Sequence, residues 1–252
     1  MPIQSAEAII LRHLDYGEAD RIVTFLTPEH GVKKGFARSA RNSRKRFGAA
    51  LEPYASVRMH WRARGGELLT LREAELLDLR AGLRADLAAL ALAAYGCELT
   101  EELFWEAHGH REVFALLAAY LDHLASAGGE ASARLLLELR LLNLAGYVPH
   151  LLHCSECNVT LTPGGAAFAA GRGGSLCRSC AGSGPARTVA LGTLGSLARS
   201  LLTPPTAFAG FRFSPQTLGE GSALLAEALR LHLHRPLRTL AFLNEVLPPP
   251  AA

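Results

Sequence analysis

The chain has 252 residues, 49% hydrophobic and 19% charged, with a formal net charge of +3. That is enough apolar material for one large domain or two to three small ones, and it excludes a globally disordered chain. No uncharged apolar run reaches the roughly 18 residues that span a bilayer, and Met1-Pro2-Ile3-Gln4-Ser5-Ala6-Glu7 lacks the basic start and apolar core of a secretory signal. The expected compartment is the cytoplasm, with no membrane partner. Thiols stay reduced there, so the five cysteines favour metal ligation over disulfides.

Short apolar segments separated by turn residues fill the first 79 positions. Ala8-Ile9-Ile10-Leu11 lies in a first strand, closed by Asp15-Tyr16-Gly17-Glu18. Arg21 to Leu26 is β-branched and apolar, and Thr27-Pro28-Glu29-His30-Gly31 turns the chain. Val32 to Ala37 is a third strand. Tyr54 to Trp61 alternates, Arg64-Gly65-Gly66 reads as a hairpin turn, and Leu68 to Leu76 is a fifth strand. Five strands without a long helix suit a small closed barrel: an OB-fold, which binds oligonucleotides across one face, or an SH3-like barrel, which leaves nearly the same pattern.

Between the third and fourth strands lies the densest charge in the chain. Lys33, Lys34, Arg38, Arg41, Arg44, Lys45 and Arg46 fall within fourteen residues that hold no Asp or Glu. Subtracting these seven from +3 leaves the rest of the chain at −4. Seven clustered cations repel one another until a polyanion neutralises them, and a phosphate backbone does so while releasing its counterions. Gly35, Ser39, Asn42, Ser43 and Gly48 make the segment a poor helix and a mobile loop. A solvated loop or a sorting signal is the plainer reading of such a run. Phe36, Phe47, Tyr54 or Trp61 could offer a base-stacking face, though each is also a core candidate.

From Leu79 the apolar period becomes helical. Ala81 to His108, His110 to Ser126 and Ala131 to Ala145 read as three antiparallel helices, with Gly128-Gly129 and Gly146 as stops. Cys97 reads as a core residue on the first, and Glu101 and Glu102 as a solvated face. After a Gly-, Ser- and Cys-rich interruption, helices resume over 189–202, 215–234 and 236–246, with a boundary at Arg235-Pro236.

That interruption holds Cys154-Ser155-Glu156-Cys157 and Cys177-Arg178-Ser179-Cys180, nineteen residues apart. Each knuckle supplies two thiolates, and the residues between can form a hairpin that brings the pairs together, the spacing of a structural zinc site. Four thiolates fill the coordination sphere, so a single zinc per chain would be structural. They also leave about −2, which Arg172 and Arg178 can partly offset. His153 reads as a surface residue beside a complete ligand set. A dithiol redox reading lacks the βαβ context such sites use. No catalytic set emerges: His108, His110, His123, His232 and His234 lie in or beside helices without a paired nucleophile. No Gly-rich phosphate loop continues into Lys-Ser or Lys-Thr.

Asp15 to Asp20, Thr27-Pro28-Glu29-His30-Gly31, Lys34-Gly35-Phe36-Ala37-Arg38, Leu51-Glu52-Pro53-Tyr54 and Glu67 to Glu75 form an ordered series. Gly146-Tyr147-Val148-Pro149 before the first knuckle and Arg235 to Leu240 near the end extend it. In this order they resemble the RecO family of bacterial recombination mediators over nearly the whole chain. The resemblance implies an N-terminal OB-fold, a helical domain and a zinc module. It also implies binding to single- and double-stranded DNA, annealing of complementary strands and, with RecR, loading of RecA onto strands coated by single-stranded DNA-binding protein. A place at the nucleoid goes with that role.

The expected molecule is an α+β multidomain protein and not an enzyme. Residues 1–79 form an OB-fold, 80–149 and 186–247 a helical domain, 150–185 a four-cysteine zinc module, and 248–252 a frayed tail. The seven cations are the expected DNA contacts. The helical domain, with Arg111, Arg134 and Arg140, is the expected dock for the acidic, apolar C-terminal tail of single-stranded DNA-binding protein. Two other classes compete. One is an RNA-processing enzyme with a zinc ribbon, which needs a cofactor pocket or acid–base set. The other is an adaptor whose basic loop meets an acidic protein.

Overall fold

Five strands close into a barrel in the order β1-β2-β3-β5-β4, with β4 returning to β1. They are β1 (Gln4–Tyr16), β2 (Asp20–Thr27), β3 (Gly31–Ala37), β4 (Ser56–Arg62) and β5 (Leu68–Asp78). The computed structural model describes residues 3–62, 68–105, 109–182 and 184–248; the expected turn at Arg64-Gly65-Gly66, His108 and most of the expected frayed tail lie outside these. All pairings are antiparallel except β3 with β5, which is parallel over Lys34–Leu68, Gly35–Leu69 and Phe36–Thr70. This is the OB-fold order, and it decides against the SH3-like alternative.

Alternation along the strands turns Ala8, Ile10, Val23, Phe25, Val57, Met59, Trp61, Leu69 and Leu71 into the barrel core. Gly35 is needed there, because an added Cβ would run into Leu71 Cδ2. The opposite face of β1 and β2 is also apolar and buried at Ile9, Leu11 and Leu26.

The chain divides into two units, Met1–Gly129 and Glu130–Ala252. The first holds the barrel and helices α1 (Leu87–Leu103) and α2 (Arg111–Ala127). α1 begins later than its apolar pattern suggests. Arg80 turns left-handed, a short 3-10 turn occupies Ala81–Ala85, and Asp86 caps the helix by accepting from the N–H groups of Ala88 and Ala89. Two ion pairs fasten these helices to the barrel. Arg12 on β1 grips Glu101 through two bonds of 2.8 Å, and buried Arg80 reaches Asp122 on α2 at 2.6 Å and the Tyr54 carbonyl at 2.6 Å. Glu101 is therefore not on a solvated face; it is 3% exposed.

In the second unit α3 (Ala131–Leu144) ends in a Schellman turn. Gly146 is left-handed at φ 77°, and Tyr147 donates back to the Leu142 carbonyl. Next come β6 (Ala167–Ala169), β7 (Gly174–Leu176), α4 (Arg178–Ala181) and β8 (Arg187–Thr188), a small sheet ordered β7-β6-β8. Then follow α5 (Leu191–Leu201), α6 (Pro215–Arg230) and α7 (Thr239–Val246). Helices α3, α5 and α6 pack on one another, and α3 is buried on nearly every side from Leu135 to Leu142. Among the described residues no helix is long and apolar enough to cross a membrane.

Candidate nucleic-acid interface and metal centre

The basic segment begins inside the barrel wall. Lys33 and Lys34 are half-buried on β3. Beyond it the chain is pinned, in contrast to the mobile loop that its Gly, Ser and Asn content suggests. The Ser39 N–H donates to Asp20 Oδ1 at 2.7 Å, and the Arg41 N–H to the Ala19 carbonyl at 3.0 Å. Ala40 and Phe47 sink into the barrel core. The Ala74 N–H of β5 donates to the Arg46 carbonyl at 2.8 Å.

Two of the seven cations hold this shape. Arg46 donates to the Arg38 carbonyl at 2.8 Å and to Ser43 Oγ at 3.1 Å. Arg41 donates to the Glu18 carbonyl at 3.1 Å and lies 3.8 Å from Asp15. Arg38, Arg44 and Lys45 are exposed, and their side chains have no hydrogen bond or ion pair among the described residues. A pinned backbone thus presents three cations to solvent, and their repulsion is not relieved by any carboxylate among those residues.

The aromatic candidates separate by burial. Phe47 and Trp61 are core, the latter donating from Nε1 to Gln4 Oε1 at 2.9 Å. Tyr54 is largely enclosed at a left-handed turn (φ 73°), and burial pushes its phenol well above the usual range. None of these three can take a base. Phe36 faces outward against exposed Tyr16, ring centroids 5.9 Å apart. Tyr16 and Trp105, outside the aromatic candidates that the sequence offers, are both more than two-fifths exposed. Lys34 Nζ stands 4.1 Å above the Trp105 ring.

In the second unit the knuckles converge as their spacing predicts. The β6–β7 hairpin, paired Ala167–Leu176 and Ala169–Gly174, folds one toward the other. The ligand sulfurs of Cys154, Cys157, Cys177 and Cys180 all lie within 4.8 Å of one another. Cys157 Sγ and Cys177 Sγ are 3.7 Å apart. A tetrahedron with metal–sulfur bonds of about 2.3 Å has edges of about 3.8 Å, so this donor set fits one metal ion. Asn158 turns left-handed and returns its N–H to the Cys154 carbonyl at 2.9 Å, shaping the first knuckle. Cys177 precedes α4, where the Ser179 hydroxyl at 3.0 Å and then the Cys180 N–H hold its thiol down to about 6. His153 is exposed and outside the cluster. Arg172 does not simply offset charge: it donates to Glu156 at 2.8 Å and to the Cys180 carbonyl at 2.9 Å, tying the two knuckles.

The three arginines expected along the helices are not alike. Arg111 is exposed and pairs with Glu29 at 3.2 Å. Arg134 is mostly buried against Glu138 at 2.8 Å. Arg140 is 2% exposed, donates to Thr203 Oγ1 at 3.0 Å, and packs over Phe208 and Phe211 at 4.9 and 5.3 Å. Its Nε and Nη1 have no partner among the described residues, and burial lowers its pKa to about 10.

Two family models match this chain, recombination protein O N terminal over residues 1–80 and recombination protein O C terminal over residues 84–241. The chain belongs to the RecO family. A DNA repair protein RecO of Syntrophotalea carbinolica is 53% identical over 243 residues, covering 96% of this chain and 94% of that protein. Those of Geobacter sulfurreducens and Pelobacter propionicus are 40% and 39% identical, each covering 96% of this chain. Membership of the RecO family places this chain in DNA repair.

Protein purified without added metal should carry close to one metal ion per chain. Cys177→Ser should lose most of it and lower solubility and thermal stability, since metal binding and folding of such a module are coupled. Elemental analysis with thiol titration reads the outcome. Four freely titrating thiols in a metal-free, fully folded protein would contradict the assignment.

Proposed function

We propose that this RecO-family chain is a non-enzymatic recombination mediator. It binds single- and double-stranded DNA through Lys33, Lys34, Arg38, Arg41, Arg44, Lys45 and Arg46, and anneals complementary strands. With RecR it helps load RecA onto strands coated by single-stranded DNA-binding protein. The observation that carries this reading is the pinned basic segment on an OB-fold barrel, with the side chains of Arg38, Arg44 and Lys45 exposed and unpaired among the described residues. Each phosphate neutralised releases counterions, and neutralising both strands removes the repulsion that slows their pairing. Arg41 and Arg46 are tied to the loop backbone, so their share is mainly to hold its shape. The metal is zinc in this reading: four thiolates at tetrahedral spacing leave no open position for water, as in a structural site.

The C-terminal tail of single-stranded DNA-binding protein is the proposed protein partner of the helical domain. Of the three arginines Arg111 is the one a peptide carboxylate can reach, because its side chain is exposed and its ion pair to Glu29, at 3.2 Å, is a weak surface contact, whereas Arg140 is enclosed with Phe208 and Phe211. Titrating a labelled tail peptide should show Arg111→Ala binding up to about fivefold more weakly than wild type, the scale of one exposed ion pair, and Arg111→Lys, which keeps the charge, close to wild type. Equal affinity for all three would remove this partner site.

The DNA reading is tested by the double variant Arg38→Glu, Arg44→Glu. Affinity should fall for any sequence. The slope of log affinity against log salt for single strands should flatten by about 1.4, from roughly 0.7 for each of two phosphates no longer neutralised. An unchanged slope would move the site off this segment.

A further inference from the structure

The outer face of β3 carries more than charge. Val32, Lys34 and Phe36 alternate along it, Lys33 alternating to the other face opposite Phe25, and the parallel pairing to β5 sets Leu68 beside Lys34. Val32, Lys33, Lys34, Leu68 and Trp105 together line a cleft of about 330 Å³, at the small end of ligand pockets and suited to a single planar group. Trp105 is 43% exposed and Leu68 equally so. The other tryptophan of the chain, Trp61, is 2% exposed and hydrogen-bonded, whereas Trp105 has no hydrogen-bond partner among the described residues. About 7 Å along the strand, two residues on, Phe36 and Tyr16 form a second partly exposed aromatic pair. Aromatic faces set beside cations, here Trp105 at Lys34 and Tyr16 at Phe36, are what a single-stranded nucleic acid uses, bases on rings and phosphates on ammonium groups.

We infer that Trp105, with Leu68 and Lys34, forms a stacking platform for one unpaired base of a nucleic-acid strand whose phosphates run along Lys33, Lys34 and the basic segment. The inference rests on the reading that this segment binds DNA and deepens it: the phosphate contacts accept any duplex or strand, and the platform selects strands with unpaired bases. Lys34 now occupies one face of the indole. A cation–π contact on a partly exposed ring is weak, about 0.5–1 kcal/mol, so the ammonium can turn to a phosphate and leave the ring to a base. An acidic, aromatic peptide has related chemistry. The base is favoured because the cleft sits on the same strand that leads into Arg38, Arg44 and Lys45.

The protein is titrated with three ligands of equal length: an oligothymidylate, an abasic strand with the same phosphates, and a duplex. Intrinsic fluorescence is followed, since buried Trp61 contributes a constant background. Oligothymidylate should quench Trp105, and the abasic strand should bind with little quenching. Trp105→Ala should weaken oligothymidylate binding by roughly fivefold to a hundredfold, the span for loss of one base–aromatic stack, and leave abasic and duplex affinities within about twofold. Trp105→Phe, which keeps a ring, should recover most of the loss. If Trp105→Ala weakens all three ligands alike, or none, the platform is overturned while the DNA reading stands. If an acidic aromatic peptide quenches Trp105 and oligothymidylate does not, the cleft is a peptide site and the inference fails. If wild type binds none of the three, the DNA reading itself fails.

Discussion

Three residue pairs between parallel strands, Lys34–Leu68, Gly35–Leu69 and Phe36–Thr70, close the barrel. Closure leaves no unpaired edge among the five strands, and it works only because Gly35 has no side chain where Leu71 enters the core. The outward arrangement follows from the same register. With Gly35 and Ala37 turned inward, Lys34 and Phe36 must face out, one beside Leu68 and Trp105, the other beside Tyr16. The helices of that unit are then anchored by Arg12–Glu101 and Arg80–Asp122. Glu101 and Arg80 are buried, so losing either partner would strand a charge in a low-dielectric setting, a far larger effect than for exposed pairs such as Arg58–Glu75.

The second constraint is electrostatic. A segment with seven cations is stable in one shape only if something other than charge holds it. Here Phe47 and Ala40 in the core, Asp20 on the Ser39 amide and Arg46 across its own loop do so. The roles are divided: Arg41 and Arg46 satisfy backbone carbonyls, and Arg38, Arg44 and Lys45 remain available. Preorganisation of this kind lowers the entropy lost when a ligand binds.

Much of this is legible in the sequence. Strand-length apolar alternation locates all five strands, and the spacing of Cys154, Cys157, Cys177 and Cys180 is enough to foresee the cluster and its hairpin, because knuckle geometry is local. What fails depends on distant partners. Glu101 looks solvated because nothing nearby in sequence announces Arg12. The Gly- and Ser-rich composition of the basic segment suggests mobility, since Phe47 as an anchor and Asp20 as an amide acceptor lie outside the pattern of the loop itself. Arg134 and Arg140 look like ordinary helix cations, yet α3 is enclosed by its neighbours. Tyr16 and Trp105 pass unnoticed because exposure of an aromatic is a property of packing, invisible in a strand turn or a helix end.

The central claim is that the pinned segment at β3 is where phosphate is met. It is tested most directly by chemical footprinting of arginine and lysine side chains in the free protein and with a single-stranded oligonucleotide, read by mass spectrometry. The account predicts that Arg38, Arg44 and Lys45 are reactive when free and protected by the strand, with protection fading as salt rises. Undiminished reactivity at these three, with protection appearing at Arg172 and Arg178 or along α3 to α7 instead, would contradict it.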